Sequence, residues 1–127
     1  MEKALTVIVP TFNMEQYLGE CLTSMITEMS KELLEVIVVN DGSTDSSFAI
    51  AHQFAQQYPT LFRVINKSNG HYGSCINSGL KIATGKFVKI LDSDDFFHTS
   101  DLDDFLTYLE QCSDDLVVTD IIRVTIK

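Results

Sequence analysis

Cations are scarce in this chain: nine Lys and Arg stand against eighteen Asp and Glu in 127 residues, a formal net charge of −9. Phosphate backbones and anionic lipid surfaces are gripped by clustered cations, so nucleic acid and a general membrane surface are excluded as partners. Ten of the eighteen acids lie from Asp92 onward, answered there by Arg123 and Lys127 alone. Long apolar runs are absent too, none approaching the roughly 18 residues that cross a bilayer. Met1-Glu2-Lys3 leads straight into a strand-like run without a signal-peptide layout. The expected location is therefore cytoplasmic, and any peripheral membrane attachment of the full-length protein would need residues outside this chain. Cysteine is limited to Cys21, Cys75 and Cys112, far apart and without a C-x-x-C, which leaves neither a disulfide framework nor a zinc site. They read as reduced, half-buried fillers. With 45% apolar and 21% charged residues, one ordinary domain over 1–127 is expected.

What the chain does have is a repeated alternation of buried strands and amphipathic helices. Ala4 to Val9 is continuous, β-branched and ended by Pro10, the pattern of a strand covered on both faces in a parallel sheet. From Met14 to Met29 apolar residues recur at spacings of three and four, which predicts one helix of about four turns. Leu34–Val39 is a second buried strand, the turn from Asn40 to Asp45 follows, and a helix is expected from about Ser46 to Tyr58, closed by Pro59. Phe62–Ile65 is a third strand, then a glycine-bearing loop over Asn66–Gly73 and a short helix over about Ser74–Ala83, stopped by Gly85. Phe87–Leu91 is a fourth strand with Asp92–Asp95 as its exit. A helix carrying Leu102, Phe105, Leu106 and Leu109 follows, its start signalled by Ser100 with Asp103 three later. Leu116–Thr119 opens a fifth strand, and the strand-like Val124–Lys127 suggests a piece of a longer protein. Four β-α units predict an α/β fold, a mostly parallel sheet with right-handed crossovers and helices on both faces. Ligands in such sheets sit beyond the carboxyl ends of the strands.

The strand exits are Pro10-Thr11-Phe12-Asn13, Asn40-Asp41-Gly42-Ser43, Asn69 to Ser74, and Asp92-Ser93-Asp94-Asp95. None carries the glycine fingerprint of dinucleotide binding or a phosphate loop with its Gly-Lys-Ser/Thr end, which disfavours nicotinamide hydride transfer and P-loop phosphoryl transfer. In an extended exit, Asp92 and Asp94 would project to one side, about 6–7 Å apart, and could share a cation. Oxygen-only ligands favour a hard ion, Mg²⁺ or Mn²⁺, completed by substrate phosphates, which also explains how an acidic pocket could accept a nucleotide diphosphate. The competing reading is that the acids cap the following helix. Asp41 could accept from a base N–H or simply make the turn. Thr11 and Asn13 could touch a base or ribose, or cap the next helix. Gly70 and Gly73 would allow close backbone approach, Ser74 would open a helix whose N-terminus favours an anion, and His71 is a plausible ligand contact or a bystander. His52 and His98 read as surface or core-edge residues.

Taken together, Leu5–Asn13, Val36–Asp45, Asn69-Gly70 to Asn77–Leu80 and Ala83–Asp95 resemble the family-2 glycosyltransferases of the GT-A fold, in that family's order and spacing. The resemblance implies transfer of a sugar from a nucleotide diphosphate sugar, UDP-linked, to an acceptor hydroxyl on a carbohydrate or lipid-linked substrate, with inversion, in cell-surface polysaccharide synthesis. It implies that Pro10, Thr11, Asn13 and Asp41 surround the base, with Gly70, His71, Ser74 and Ser93 around the nucleotide. Asp92 would face the ribose and metal, and Asp94 would bind Mn²⁺ or Mg²⁺. Many members carry Ala-Arg-Asn where this chain has Cys75-Ile76-Asn77, so an arginine contact is missing or replaced by His71 or Lys67. The catalytic base, a carboxylate, would lie beyond residue 127, and this chain alone would bind donor weakly and turn over little.

Two other classes compete. Phe87–Leu91 followed by Asp92-Ser93-Asp94 resembles the nucleophilic strand of haloacid-dehalogenase-type aspartyl phosphotransferases, but Phe96 occupies the position where those enzymes carry Thr or Val, and the motif is not on the first strand. A response-receiver arrangement fails because the acids are split between distant strand ends. A non-catalytic nucleotide-binding module with the same fold is the remaining alternative.

Overall fold

The computed structural model describes residues 3–112 and the backbone of Thr125 and Ile126. The sheet is built from β1 (Leu5–Thr11), β2 (Leu34–Asp41), β3 (Phe62–Lys67) and β4 (Phe87–Ile90), in the order β3-β2-β1-β4, all parallel. Every residue of β1 and β2 is buried, as expected of the two central strands of a sheet covered on both sides. The helices are α1 (Leu18–Thr23), α2 (Glu28–Leu33), α3 (Ser47–Gln57), α4 (His71–Ile82) and α5 (Thr99–Gln111). Val7, Val9, Val36 and Val38 face one way, into a core shared with Leu18, Leu22, Leu33, Ala51, Leu102 and Leu106 of α1, α2, α3 and α5. Ile8, Ile37 and Val39 face the other way, against Cys75 of α4 and the partly buried Ile82. The parallel sheet with helices on both faces is therefore as expected. Two glycines set its close approaches. A Cβ on Gly79 would lie 2.9 Å from Ile8, so α4 can settle onto β1 only with glycine there, and a Cβ on Gly85 would lie 2.5 Å from the Thr6 nitrogen.

The boundaries differ from the expectation in four places. The single helix over Met14–Met29 is two. Met14–Tyr17 is a turn, with Tyr17 N and Leu18 N donating to Met14 O, and α1 ends at Ser24, whose hydroxyl donates to Cys21 O at 2.6 Å. Thr27 is extended and caps α2: its hydroxyl accepts from Ser30 N while Ser30 Oγ accepts from Thr27 N, both at 2.8 Å. Helix α4 begins at His71 rather than Ser74. Helix α5 begins at Thr99 after His98, with no side-chain cap, so Ser100 lies inside it, and Asp103 accepts instead from the Thr27 hydroxyl at 2.7 Å. A short strand not foreseen, β5 (Phe96–Phe97), pairs antiparallel with β6 (Thr125–Ile126). The strand expected at Leu116–Thr119 lies outside the described residues.

Candidate active site

The carboxyl ends of β1, β2 and β4 and the first turn of α4 enclose a cavity of about 390 Å³ lined by Pro10, Thr11, Phe12, Met14, Asp41, Tyr72, Cys75, Asp92, Ser93 and Asp94. Its two ends differ in chemistry. At one end Asp41, the last residue of β2, sits opposite Lys67, the last residue of β3, because the parallel register pairs them. Lys67 Nζ donates to Asp41 Oδ1 at 2.9 Å and Gly70 N donates to the same oxygen at 2.8 Å. The pair is largely enclosed, with side-chain exposures of 8% for Asp41 and 19% for Lys67. Burial would raise the Asp41 pKa, yet Lys67 and the Gly70 N–H outweigh it and hold the carboxyl below its usual range. Lys67 Nζ and Gly70 N both land on Oδ1, and the Cys75 thiol also hydrogen-bonds the Asp41 carboxylate. Gly42 makes the turn that follows, at φ 75, with a Cβ position only 2.8 Å from Asn69 N. Turn-making thus falls to Gly42 and frees Asp41 for the cavity wall.

At the other end the exit of β4 is a turn, not the extended segment expected. Leu91 N continues the ladder to Ile8 O, Asp95 N closes back onto Asp92 O at 2.9 Å, and Phe97 N is anchored on Ser24 Oγ at 3.0 Å. The turn gathers carboxylate oxygens of Asp92, Asp94 and Asp95 within 4.8 Å of one another. The helix-cap reading of these acids fails, since α5 starts four residues after Asp95 and β5 intervenes. An all-oxygen donor set of this span suits one hard divalent ion such as Mn²⁺ or Mg²⁺, with open positions for water or phosphate. Cys21 beneath the turn registers the local negative potential: burial first, then Asp95, Asp94 and Asp92, push its thiol up to about 12. It stays a protonated filler. The Tyr72 hydroxyl reaches Asp92 Oδ1 at 3.4 Å, and burial together with Asp92 raises the pKa of that phenol.

The expected site residues divide accordingly. Pro10, Thr11, Asp41, Asp92, Ser93 and Asp94 converge on the cavity, whereas Asn13, Gly70, His71 and Ser74 are not among its lining residues. Asn13, at φ 52, braces two loops: its Oδ1 accepts from Thr44 N at 2.8 Å and its N–H donates to Ser43 Oγ. The role of helix cap is excluded for it, since Tyr17 occupies that position before α1. Gly70 spends its N–H on Asp41 and leaves room for Lys67 Nζ, 2.7 Å from where its Cβ would stand. His71 is exposed, with a strained φ of 79 at the start of α4. His52 is exposed and stacks on Phe48, and His98 is exposed before α5. Phe12, Met14, Tyr72, Cys75 and Asp95 were not singled out by the sequence reading. Among them only Asp95, next to the D-x-D pair, carried a local signal.

Comparison with known proteins agrees with this layout. The sequence profile of glycosyl transferase family 2 matches residues 6–127. The minor teichoic acid biosynthesis protein GgaB of Bacillus subtilis is 34% identical over 122 residues, covering 95% of this chain and 13% of that protein. The crystal structure of S. aureus TarS 1-349 in complex with UDP-GlcNAc superposes with a TM-score of 0.74 at 35% identity, covering 87% of this chain and 32% of that one. The mannosyltransferase PcManGT from Pyrobaculum calidifontis, in complex with GDP-Man and Mn²⁺, gives 0.65 at 26% identity, covering 86% and 34%. This chain spans about a third or less of each of these proteins. With residues 6–127 matched by that profile, the chain belongs to glycosyl transferase family 2.

Proposed function

We propose that this chain forms the donor half of a glycosyltransferase that takes its sugar from a UDP-linked donor, with Mn²⁺ or Mg²⁺, and passes it with inversion to a carbohydrate or lipid-linked hydroxyl in cell-wall polysaccharide synthesis. The observation that carries the reading is one cavity lined by a hydrogen-bond acceptor, Asp41, and by Asp92 and Asp94, which cluster with the neighbouring carboxylate of Asp95. A nucleoside diphosphate has the matching polarity, a base with N–H donors and a diphosphate that needs a cation in an acidic site. With Lys67 and Gly70 already donating to Oδ1, Asp41 suits one further donor, such as the single imide N–H of uracil, better than two. The adjacent pair of N–H groups on guanine would need both oxygens for a bidentate contact. Phe12 and Tyr72, exposed at 46% and 53%, give the cavity aromatic walls.

Asp92, Asp94 and Asp95 are the residues that would hold the ion, and a bound divalent ion would supply Lewis-acid neutralisation of the departing diphosphate. Asp41 and its Lys67 partner orient the base, while Pro10, Thr11 and Ser93 shape the remaining wall. The carboxylate that deprotonates the acceptor hydroxyl belongs beyond residue 127 in this reading. Isothermal titration with UDP and with GDP in Mn²⁺ tests it: UDP is expected to bind at least about tenfold more tightly, a difference of about 1.4 kcal/mol. Equal affinities would refute the assignment of the base.

A further inference from the structure

We propose that Tyr72 is a positioning residue for Asp92: its phenol takes one oxygen of the carboxylate and turns the other toward the divalent ion held with Asp94 and Asp95. The inference rests on the metal-dependent reading of the site given above. Tyr72 and Cys75 lie three apart on the first turns of α4 and both line the cavity, so one helical face carries them side by side. Cys75 stands beside Asp41, whereas the Tyr72 hydroxyl reaches across to Asp92 Oδ1 at 3.4 Å. A single turn of α4 thus bridges the base end and the acidic end of the cavity, which no sheet strand does alone.

The choice of donor matters. Three carboxylates gathered within 4.8 Å repel one another, which favours a neutral donor that fixes the orientation of one of them. A lysine or arginine in the place of Tyr72 would orient Asp92 but would also compete with the ion for its charge. A phenol donates one hydrogen bond, carries no charge, and so orients the ligand without weakening its attraction for a cation. Partners of this kind behind a metal ligand commonly change metal affinity by about 10–100-fold.

Mn²⁺ titrated calorimetrically in the presence of UDP into wild type, Tyr72→Phe and Asp94→Ala tests the assignment. Tyr72→Phe keeps the ring at an exposed position, and its melting temperature should match wild type. Its Mn²⁺ affinity is expected to fall about tenfold, while Asp94→Ala loses binding. Tyrosine fluorescence gives a second readout, since the chain holds four Tyr and no Trp. Addition of Mg²⁺ should change the wild-type emission and leave the Tyr72→Phe emission unchanged. Wild-type Mn²⁺ affinity in Tyr72→Phe, with an emission change on Mg²⁺ as large as that of wild type, would overturn the role of Tyr72 alone. Failure of wild type to bind Mn²⁺ would overturn the metal site itself.

Discussion

Replacing Lys67 with Met keeps most of the unbranched apolar stem and removes the charged amine, which isolates what the ion pair does for Asp41. At the 2.9 Å separation of Nζ and Oδ1, Coulomb attraction in an effective dielectric of about 20 is about 6 kcal/mol. Most of that is offset by the water both groups gave up. Removing one partner of a fully buried pair costs about 3–5 kcal/mol, because the other charge is left enclosed. Here Gly70 N–H still donates to Asp41, and the carboxylate borders an open cavity where solvent screens it. The expected loss of unfolding free energy at neutral pH is therefore about 2 kcal/mol. The loss should also depend on pH. The wild-type Asp41 pKa is held down, so the pair stabilises the fold above the ordinary carboxylate range and stops doing so as acid protonates Asp41. Urea denaturation of both proteins at pH 7 and at steps down to about pH 2 measures this: the gap should be widest at pH 7 and narrow as pH falls below the ordinary carboxylate range and through the lowered Asp41 pKa. A gap below about 0.5 kcal/mol at neutral pH, or one that persists undiminished in acid, would refute the reasoning.

Two further outcomes follow from the packing and charge of the sheet. Gly85→Ala forces a Cβ to within 2.6 Å of Leu5 and Thr6 backbone atoms and displaces the Gly85 N–H from Thr6 Oγ1; a cost of about 3 kcal/mol is expected in urea denaturation. Glu35, buried in β2, would have its pKa raised by burial, but Thr84 N–H, the Thr6 hydroxyl and Arg63 outweigh this and lower it. Its contribution is present above the unfolded carboxylate pKa of about 4.3 and is lost as pH falls below it. Glu35→Gln should therefore be less stable at pH 7 and show a flatter decline from about pH 5 to pH 3; an unchanged acid slope in thermal melts would contradict this.

The sheet was legible because central parallel strands are apolar without alternation, and β1 and β2 are buried along their full length. The break between α1 and α2 was not, because Leu22, Met25, Ile26 and Met29 all join the same core on either side of it, so the apolar spacing runs on while the backbone stops. Only the Thr27 and Ser30 capping box marks the interruption, and it lacks the acidic residue that usually advertises one. The acidic end of the site was visible as a motif but its turn was not, since the closure depends on Asp95 N reaching Asp92 O and on Ser24 from a distant helix. Lys67 as partner of Asp41 was within reach: both end neighbouring strands, and aligning β2 on β3 sets them opposite. Tyr72 required the start of α4, which lies three residues earlier than its sequence signals.

The measurement closest to the central claim is the melting temperature of this protein with UDP, in Mn²⁺ and then in EDTA, for wild type and Asp94→Ala. Ligand at 100 times its dissociation constant adds about 2.7 kcal/mol of stability, enough to move the melt by several degrees. A donor site built from Asp41 and the Asp92–Asp95 turn predicts stabilisation by UDP that requires Mn²⁺ and disappears in Asp94→Ala. Stabilisation equal in EDTA, or retained in Asp94→Ala, would contradict it.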